Sequence, residues 1–449
     1  MADAAGDLEE FLADVSLASL SADGYTPYVR PEDCVLLMHI HVLNSSVPLI
    51  KQLLKNGFRS ESIIIVPKVY STIPAAASRI AQLGCGIVRT ARDTFTPGQY
   101  DFYAVKGLND GVRYARAACF KTKARRCIVV DDGGLLTERW SAAKEASDLF
   151  DAISIQQTSS GLYGSRQSAL RRINVAGSAA KRFFESKIIV SGVMRKLSSL
   201  RMLSRSRNLA VIGIGTLGKR IAQTLSLQGH QVLTCDIKGN SELPNVTHTS
   251  WQECVKNADI ILGCTGRNFM HFEVSDLFSV QKRKTFVSLS SRDIEFKSFL
   301  LSDMHLSSER PFSDLRVESG NNFSHTVLNG GFPINFDRKI EWERFDEINV
   351  TRGLVLIAIL QALCVPACHD IAKIEKLALQ QQYKLVTKWL HNRDQAPEYF
   401  EVEHDQFHSL RWWNAESNGT ADQGWSMGIK QPANAGSDLR KGYGADAGP

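Results

Sequence analysis

The sequence predicts an α/β protein: a doubly wound parallel sheet of the dinucleotide-binding kind, combined with a second, discontinuous α/β domain. Three observations predict it. Short apolar runs alternate with helical stretches from about 33 to 130. At "NLAVIGIGTLGKRIAQTLSLQG" a strand, a glycine turn and a helix follow one another without a break. The alternation then resumes beyond that turn.

The elements follow in order. At the N-terminus, Leu8, Phe11, Leu12 and Val15 keep helical spacing and predict one face of a short amphipathic helix. "CVLLMHI" reads as a buried strand, and "VPLIKQLLKNG" as a helix closed by Gly57. "SIIIVPK" is the next strand, "AAASRIAQLG" a helix ending at Gly84, and "CGIVRT" a strand. "RRCIVVDDGG" is a strand that runs into two acids and two glycines. A helical region is predicted over about 165–206, leading into the glycine turn. After it, "QVLTCD", "ADIILGC", "TFVSLS" and "HTVLNGG" read as strands. "VTRGLVLIAILQALC" predicts a buried helix, and 370–395 another. From about 411 the periodicity disappears while Gly, Ala, Asn and Asp accumulate, which predicts a disordered tail. The expected division is an N-terminal segment over 1–25 and a substrate-type domain over 26–195, completed by about 346–375. A nucleotide domain occupies 196–345, a helical segment 376–410, and the tail 411–449.

Composition narrows the function classes. The 449 residues are 43% hydrophobic and 22% charged, an ordinary globular balance. The net charge of +6 is mild, and the basic residues are scattered apart from clusters at Lys121–Arg126 and Arg201–Arg207, so no nucleic-acid partner is expected. The acidic "MADAAGDLEEFLADVSLASL" has no basic leader region, and no apolar run reaches the roughly 18 residues that a membrane span needs. A soluble, cytoplasmic protein without a membrane partner is the expectation. The nine cysteines show no pairing pattern and fit free thiols. Cys364, Cys368 and His369 lie close together without a second ligand pair, so no metal site is expected.

The glycine turn predicts an NAD site. Gly213 permits the tight turn, Gly215 lets the backbone approach a pyrophosphate, and Gly218 lets helix and strand pack closely. Thr216 and Leu217 open the helix whose N-terminus favours negative charge. Asp236 ends the next strand, eighteen residues past Gly218, where a carboxylate accepts from the ribose hydroxyls and repels a 2′-phosphate. That favours NAD over NADP, with Lys238 slightly opposing. A helix-packing glycine turn without a ligand is the competing reading.

Taken together the motifs resemble the S-adenosylhomocysteine hydrolase family. "GIGTLGKRIAQTLSLQGHQVLTCDI" is similar to that family's nucleotide turn, helix and second strand, and "ADIILGCTG" to its threonine-glycine strand end. "SLSSRDIEF" resembles its strand leading into Asp-x-Glu, "VVDDGGLLT" its Asp-Asp-Gly-Gly stretch, "SIQQTSSG" its Glu-Glu-Thr-Thr-Thr-Gly stretch, and "INVAGSAAKRFFESK" its Ile-Asn-Val segment ending in lysine. The likeness runs in the same order over about 33–365. It implies a bound NAD that oxidises the substrate's 3′-hydroxyl, after which a thiol is eliminated and water adds. It implies further cofactor contacts at Thr158, Ser159, Ser160, Thr265, Gly266 and Asn335, and a homo-oligomer. By this resemblance Asp132, Lys181 and His41 match the family's acid–base residues, with His39 as a rival to His41. Glu185 replaces the aspartate that partners the lysine. On the residues alone, Asp132 is equally a turn-capping carboxylate, Lys181 a surface lysine and His41 a packed histidine.

The chain departs from the family on the substrate side. Gln157 stands in place of a catalytic glutamate, Ser291 of a catalytic histidine, and Ala176 of an asparagine near the ribose. Ser186 and Val190 replace an asparagine and a cysteine near the nicotinamide. Leu43 and Ser45 replace the threonine and glutamate that hold adenine. The Gly-His-Pro-Ser stretch is replaced around "IEWERFD", and the family's C-terminal tail is not recognisable. Losing one acid–base group costs a rate of roughly 10²–10⁴-fold. Three readings follow. The first is a diverged NAD-dependent oxidoreductase acting on a hydroxyl of a nucleoside- or sugar-like small molecule. The second is a non-catalytic NAD-binding regulatory or scaffold protein. The third is a genuine but atypical hydrolase.

Overall fold

The computed structural model describes residues 2–89, 98–143, 151–158, 161, 170–204, 207–237, 245–268, 282–300, 306–307, 312–318, 324–366 and 373–391. The expected tail and the segment before it, from 392 on, lie outside them. Two α/β sheets are built in succession. Helices α1 (Ala2–Ala13) and α2 (Leu17–Ala22) come first, and Leu8, Phe11, Leu12 and Val15 are buried as their spacing predicts. Strands β1 (Cys34–Ile40), β2 (Ile63–Pro67), β3 (Gly86–Ile87), β4 (Arg126–Asp131), β5 (Asp151–Gln156) and β6 (Arg171–Asn174) form the first sheet. Helices α3 (Ser46–Lys55), α4 (Pro74–Gln82), α5 (Tyr100–Thr122) and α6 (Leu135–Ala142) connect them. Strand β15 (Ile374–Lys376) closes the sheet, in the order β15-β6-β5-β4-β1-β2-β3 with every pair parallel. β1 and β4 are buried along their whole length, as continuous apolar runs in a doubly covered parallel sheet must be.

Helix α7 (Ala179–Ser199) leads to the second sheet, whose strands are β7 (Leu209–Ile212), β8 (Val232–Cys235), β9 (Val246–His248), β10 (Ile260–Gly263), β11 (Thr285–Ser288), β12 (Leu306–Ser307), β13 (Leu315–Glu318) and β14 (Ser324–Val327). Its order is β12-β13-β14-β11-β10-β7-β8-β9, and only the β12–β13 and β13–β14 pairs are antiparallel. Helices α8 (Thr216–Leu227), α9 (Trp251–Asn257) and α10 (Lys297–Leu300) accompany it. Read from β3 to β6, the first sheet has its strands in the sequence third, second, first, fourth, fifth, sixth. The second sheet repeats that sequence from β9 to β11, and its sixth place is taken by β14, the eighth strand in chain order. This is the doubly wound Rossmann order, in which ligands collect where the winding reverses, beyond the carboxyl ends of the first and fourth strands.

After the second sheet come α11 (Phe345–Cys364) and α12 (Leu379–His391). α11 packs against α1, α3 and α7 and against β4 and β5 of the first sheet. It corrects one expectation: its 20 residues are long and apolar enough to cross a membrane, yet its most apolar window is 100% buried within the protein. A core helix surrounded on all sides is apolar all round.

Three other expectations are corrected. The predicted helix over 165–206 contains β6, whose "RRIN" carries one apolar residue and so gives no strand signal. The predicted helix over 370–395 begins with β15, an edge strand reading "IEK". The strand expected at "CGIVRT" shrinks to two residues. The 23-residue α5 has no apolar stripe in the sequence, because its buried face includes Ala104, Gly107, Gly111 and Ala115 beside Leu108 and Val112. At Gly111 a Cβ would stand 2.2 Å from the Val66 side chain, so helix and sheet touch there through glycine.

Candidate functional site

The first cluster lies at the reversal point of the first sheet. β1 ends at Ile40 and β4 at Asp131, so His41 and Asp132 emerge side by side from adjacent strands. The Asp132 amide donates to the His39 carbonyl at 3.2 Å, which locks the two strand ends together. Asp132 Oδ2 is 3.3 Å from His41 Nε2. Asp132 Oδ1 is 2.8 Å from the Nζ of Lys68, which leaves the end of β2 and is 4% exposed. Burial works against charge on Asp132, but Lys68 and His41 outweigh it and hold the carboxyl well below the usual carboxylate range. Burial, then Lys68, push His41 down to about 4, so its imidazole is neutral at pH 7. His41 Nδ1 is 2.7 Å from Ser71 Oγ. His39 is turned elsewhere, with Nδ1 2.9 Å from the Val66 carbonyl oxygen. Of the two rivals, His41 is the one that meets Asp132.

The second cluster is the glycine turn at the reversal point of the second sheet. Gly213 has φ +93°, a conformation open to glycine, and its amide donates to the Cys235 carbonyl at 2.8 Å. Gly218 packs on the turn so closely that a Cβ there would stand 1.9 Å from the Gly213 carbonyl oxygen. Gly215 caps α8, and a Cβ on it would meet nothing within 4 Å. The first helical amides, at Thr216, Leu217 and Gly218, precede the first helical bond, which Lys219 donates to the Gly215 carbonyl at 2.9 Å. Asp236 Oδ2 accepts from the Ile214 amide at 2.6 Å and so buttresses the turn from the next strand. An open backbone cradle at a helix N-terminus fits a dinucleotide pyrophosphate, and the residues present fit the group. At the neighbouring strand end, Thr265 Oγ1 donates to Glu295 at 2.8 Å and the Gly266 amide at 2.6 Å.

The segment after β14 of the second sheet reaches the first cluster. It runs through Phe332 and Asn335 to Phe336, whose ring stacks on His41 at 4.2 Å and 17°. Tyr70 stacks on Phe332 at 5.0 Å and meets His41 edge-on at 5.7 Å. Asn335 Nδ2 donates to Glu343 Oε1 at 2.7 Å. Burial, with Glu341 adding and Asn335 opposing, pushes Glu343 up to about 7. From α7, Lys181 Nζ pairs with Glu185 Oε1 at 2.9 Å, and Lys181 is buried.

The substituted positions also have places. Gln157 is buried, with Nε2 unpartnered among the described residues, and the buried Ser186 Oγ is likewise unpartnered. Ser291 is exposed. Ser45 is buried and gives both its amide and its hydroxyl to Glu341, the amide at 2.9 Å. Thr158 Oγ1 accepts from the Gly161 amide at 3.3 Å, while Ser159 and Ser160 lie outside the described residues. The sequence gives little sign of Lys68, Glu341, Glu343 and Arg352. Lys68 ends an apolar strand; the two glutamates lie in a stretch without periodicity; Arg352 is hidden in the most apolar helix.

No family model matches the chain. An uncharacterized protein of Mycobacterium tuberculosis, found in strains CDC 1551 / Oshkosh and ATCC 25618 / H37Rv, is 27% identical over 311 residues. The match covers 68% of this chain and 59% of the relative's length. Among solved structures, a 2-hydroxyacid dehydrogenase from Ketogulonicigenium vulgare Y25 is similar at TM-score 0.33 and 12% identity, covering 57% of this chain and 87% of that one. D-lactate dehydrogenase from Lactobacillus jensenii, solved with NAD+, is similar at TM-score 0.28 and 13% identity, covering 69% and 99%. Similarity at this level decides neither substrate nor chemistry. The class is defined by strand order: a Rossmann-type α/β protein with two doubly wound sheets.

Proposed function

We propose that the chain is a diverged relative of adenosylhomocysteinase: an NAD-dependent oxidoreductase acting on a hydroxyl of a small molecule, and not an ordinary adenosylhomocysteine hydrolase. The observation that carries this reading is the stacking of Phe336 on His41 at 4.2 Å. It brings a segment of the nucleotide sheet, with Asn335 beside it, onto the Asp132 cluster of the first sheet. Bound NAD would supply a hydride acceptor. Gly213, Gly215, Gly218 and the first amides of α8 would hold its pyrophosphate, and Asp236 its ribose. The Lys181–Glu185 pair would take the hydroxyl proton: Lys181 passes its own proton to Glu185 Oε1, 2.9 Å away, and its freed amine receives that of the hydroxyl. The neutral His41 supports a second proton transfer, and Asp132 and Lys68 fix its orientation. Closure of a domain over 26–195 and 346–375 against 196–345 would exclude water, and the packing of α11 on the first sheet supports that division.

Two observations favour oxidation over full hydrolysis. Gln157 brings an amide where acid–base work needs a carboxyl, and Ser291 is exposed. The test is to release and identify the nucleotide of the purified protein, then follow NADH absorbance as nucleosides and sugars are added. Bound NAD that is reduced by one of them supports the reading. Bound NAD that no compound reduces favours the non-catalytic alternative. Protein that neither carries nor binds NAD overturns both.

A further inference from the structure

Arg352 is the buried charge that the reading above leaves unused. It sits in α11, the helix that is buried on all sides, and is 6% exposed. Its Nε donates to Ser45 Oγ at 2.9 Å. Among the described residues its terminal nitrogens, Nη1 and Nη2, have no hydrogen-bond or ion-pair partner, and they are not sealed from open space. The guanidinium lies within electrostatic reach of Glu341, Asp132, Glu343 and Glu185, and of His41.

Each of those carboxylates is already held through at least one oxygen, with Glu343 Oε2 making no hydrogen bond among the described residues. Glu341 is held by Ser45, Asp132 by Lys68 and His41, Glu343 by Asn335, and Glu185 by Lys181. Among the described residues the free edge of the guanidinium is therefore a charged donor pair that these carboxylates leave unfilled. A buried charge without a partner is costly, and the planar fork of an arginine matches a carboxylate with two parallel bonds.

We propose that Arg352 receives a carboxylate group of the substrate. The proposal deepens the reading above by naming the substrate class of the same site: a hydroxy compound that also bears a carboxylate. The four surrounding carboxylates decide between anions. They repel a phosphate dianion more strongly than a monoanionic carboxylate at the same place.

The test is calorimetric titration of the purified full chain with three probes that share a polyol body: D-ribonate, D-ribose and D-ribose 5-phosphate. D-Ribonate is expected to bind at least about tenfold more tightly than the other two, the scale of a charge-assisted bidentate pair. Arg352→Gln, which can still donate to Ser45, should bring D-ribonate down to the level of D-ribose, and Arg352→Lys should keep part of the difference. Equal binding of D-ribonate and D-ribose overturns the proposal. So does tighter binding of the phosphate, absence of D-ribonate binding at millimolar concentration, or full D-ribonate affinity in Arg352→Gln. If Arg352→Gln does not fold, the comparison of the three probes on the unaltered protein still decides. The nucleotide carried by the protein is measured in the same samples. A carboxylate preference without bound NAD leaves the Arg352 site standing and removes the oxidoreductase reading; bound NAD without the preference does the reverse.

Discussion

Lys68 and Asp132 hold each other's charge in a site where neither reaches water freely, with side-chain exposures of 4% and 11%. Removing one partner strands the other. Asp132→Asn is expected to lower stability by about 3–5 kcal/mol, the usual cost of breaking a buried pair. Adding Lys68→Met should restore a large part of it. Chemical denaturation of the three proteins checks this, and an Asp132→Asn protein as stable as the parent would contradict the pairing. Glu343 gives a pH signature instead. Its folded value of about 7 lies above the ordinary 4.5, so between those values the native state keeps a proton that the unfolded chain has lost. Stability from this group is complete below about pH 4.5 and is lost as pH rises through about 7. Glu343→Gln should therefore gain on the parent over that window, by an upper bound of roughly 3 kcal/mol. His41, pushed down to about 4, works in the opposite direction as pH falls below 6.5, so the readout is the difference between variant and parent. A difference that stays flat from pH 4.5 to 7 would refute the assignment.

The glycine turn separates two demands within one element. At Gly218 a methyl group would collide with the Gly213 carbonyl oxygen, which is backbone and cannot turn aside. At Gly215 the space is open and φ is −68°, a value any residue adopts. Gly218→Ala should destabilise the fold by at least about 1–3 kcal/mol. Gly215→Val should fold normally and lose NAD. Melting curves with and without NAD distinguish the two, and an unchanged NAD affinity in folded Gly215→Val would remove the nucleotide site. This turn was legible in the sequence because backbone constraint selects glycine directly. The strands β1, β2, β4, β7 and β10 were legible for a related reason: burial on both faces makes their apolar runs continuous. β6 and β15 were not, since a charged four-residue strand and an exposed edge strand carry no apolar period. Asp132 and His41 could be picked out as strand-end residues, but their contact depends on the parallel register of β1 with β4. Arg352 and Glu343 take their meaning from residues far away in the chain, and no local pattern announces them.

At the scale of the whole molecule, each of the two doubly wound sheets offers a reversal point, and the segment ending at Phe336 carries the chain of the second sheet onto the first sheet's His41. Such a scaffold retains a nucleotide cradle even when the residues facing the substrate change. Under the proposed reading the departures fall on the substrate side. Ser45 is occupied by Glu341, Leu43 offers no hydrogen bond, Gln157 cannot donate a proton as an acid, and Ser291 is exposed. Under the proposed reading Lys181 and Glu185, paired at 2.9 Å, serve the hydride step. Thiol elimination and water addition need a group that passes protons to and from the leaving and entering atoms, and the positions that resemble the family's glutamate and histidine hold Gln157 and Ser291 instead. Incubation with adenosylhomocysteine is therefore expected to release thiol far more slowly than about 1 s⁻¹, the lower end of ordinary enzyme turnover. Free thiol and NADH absorbance are followed in the same sample. NADH without thiol fits a site that oxidises and goes no further, and silence in both fits a substrate of another class. Thiol release at about 1 s⁻¹ or faster would show that the Gln157 and Ser291 substitutions leave the full reaction intact.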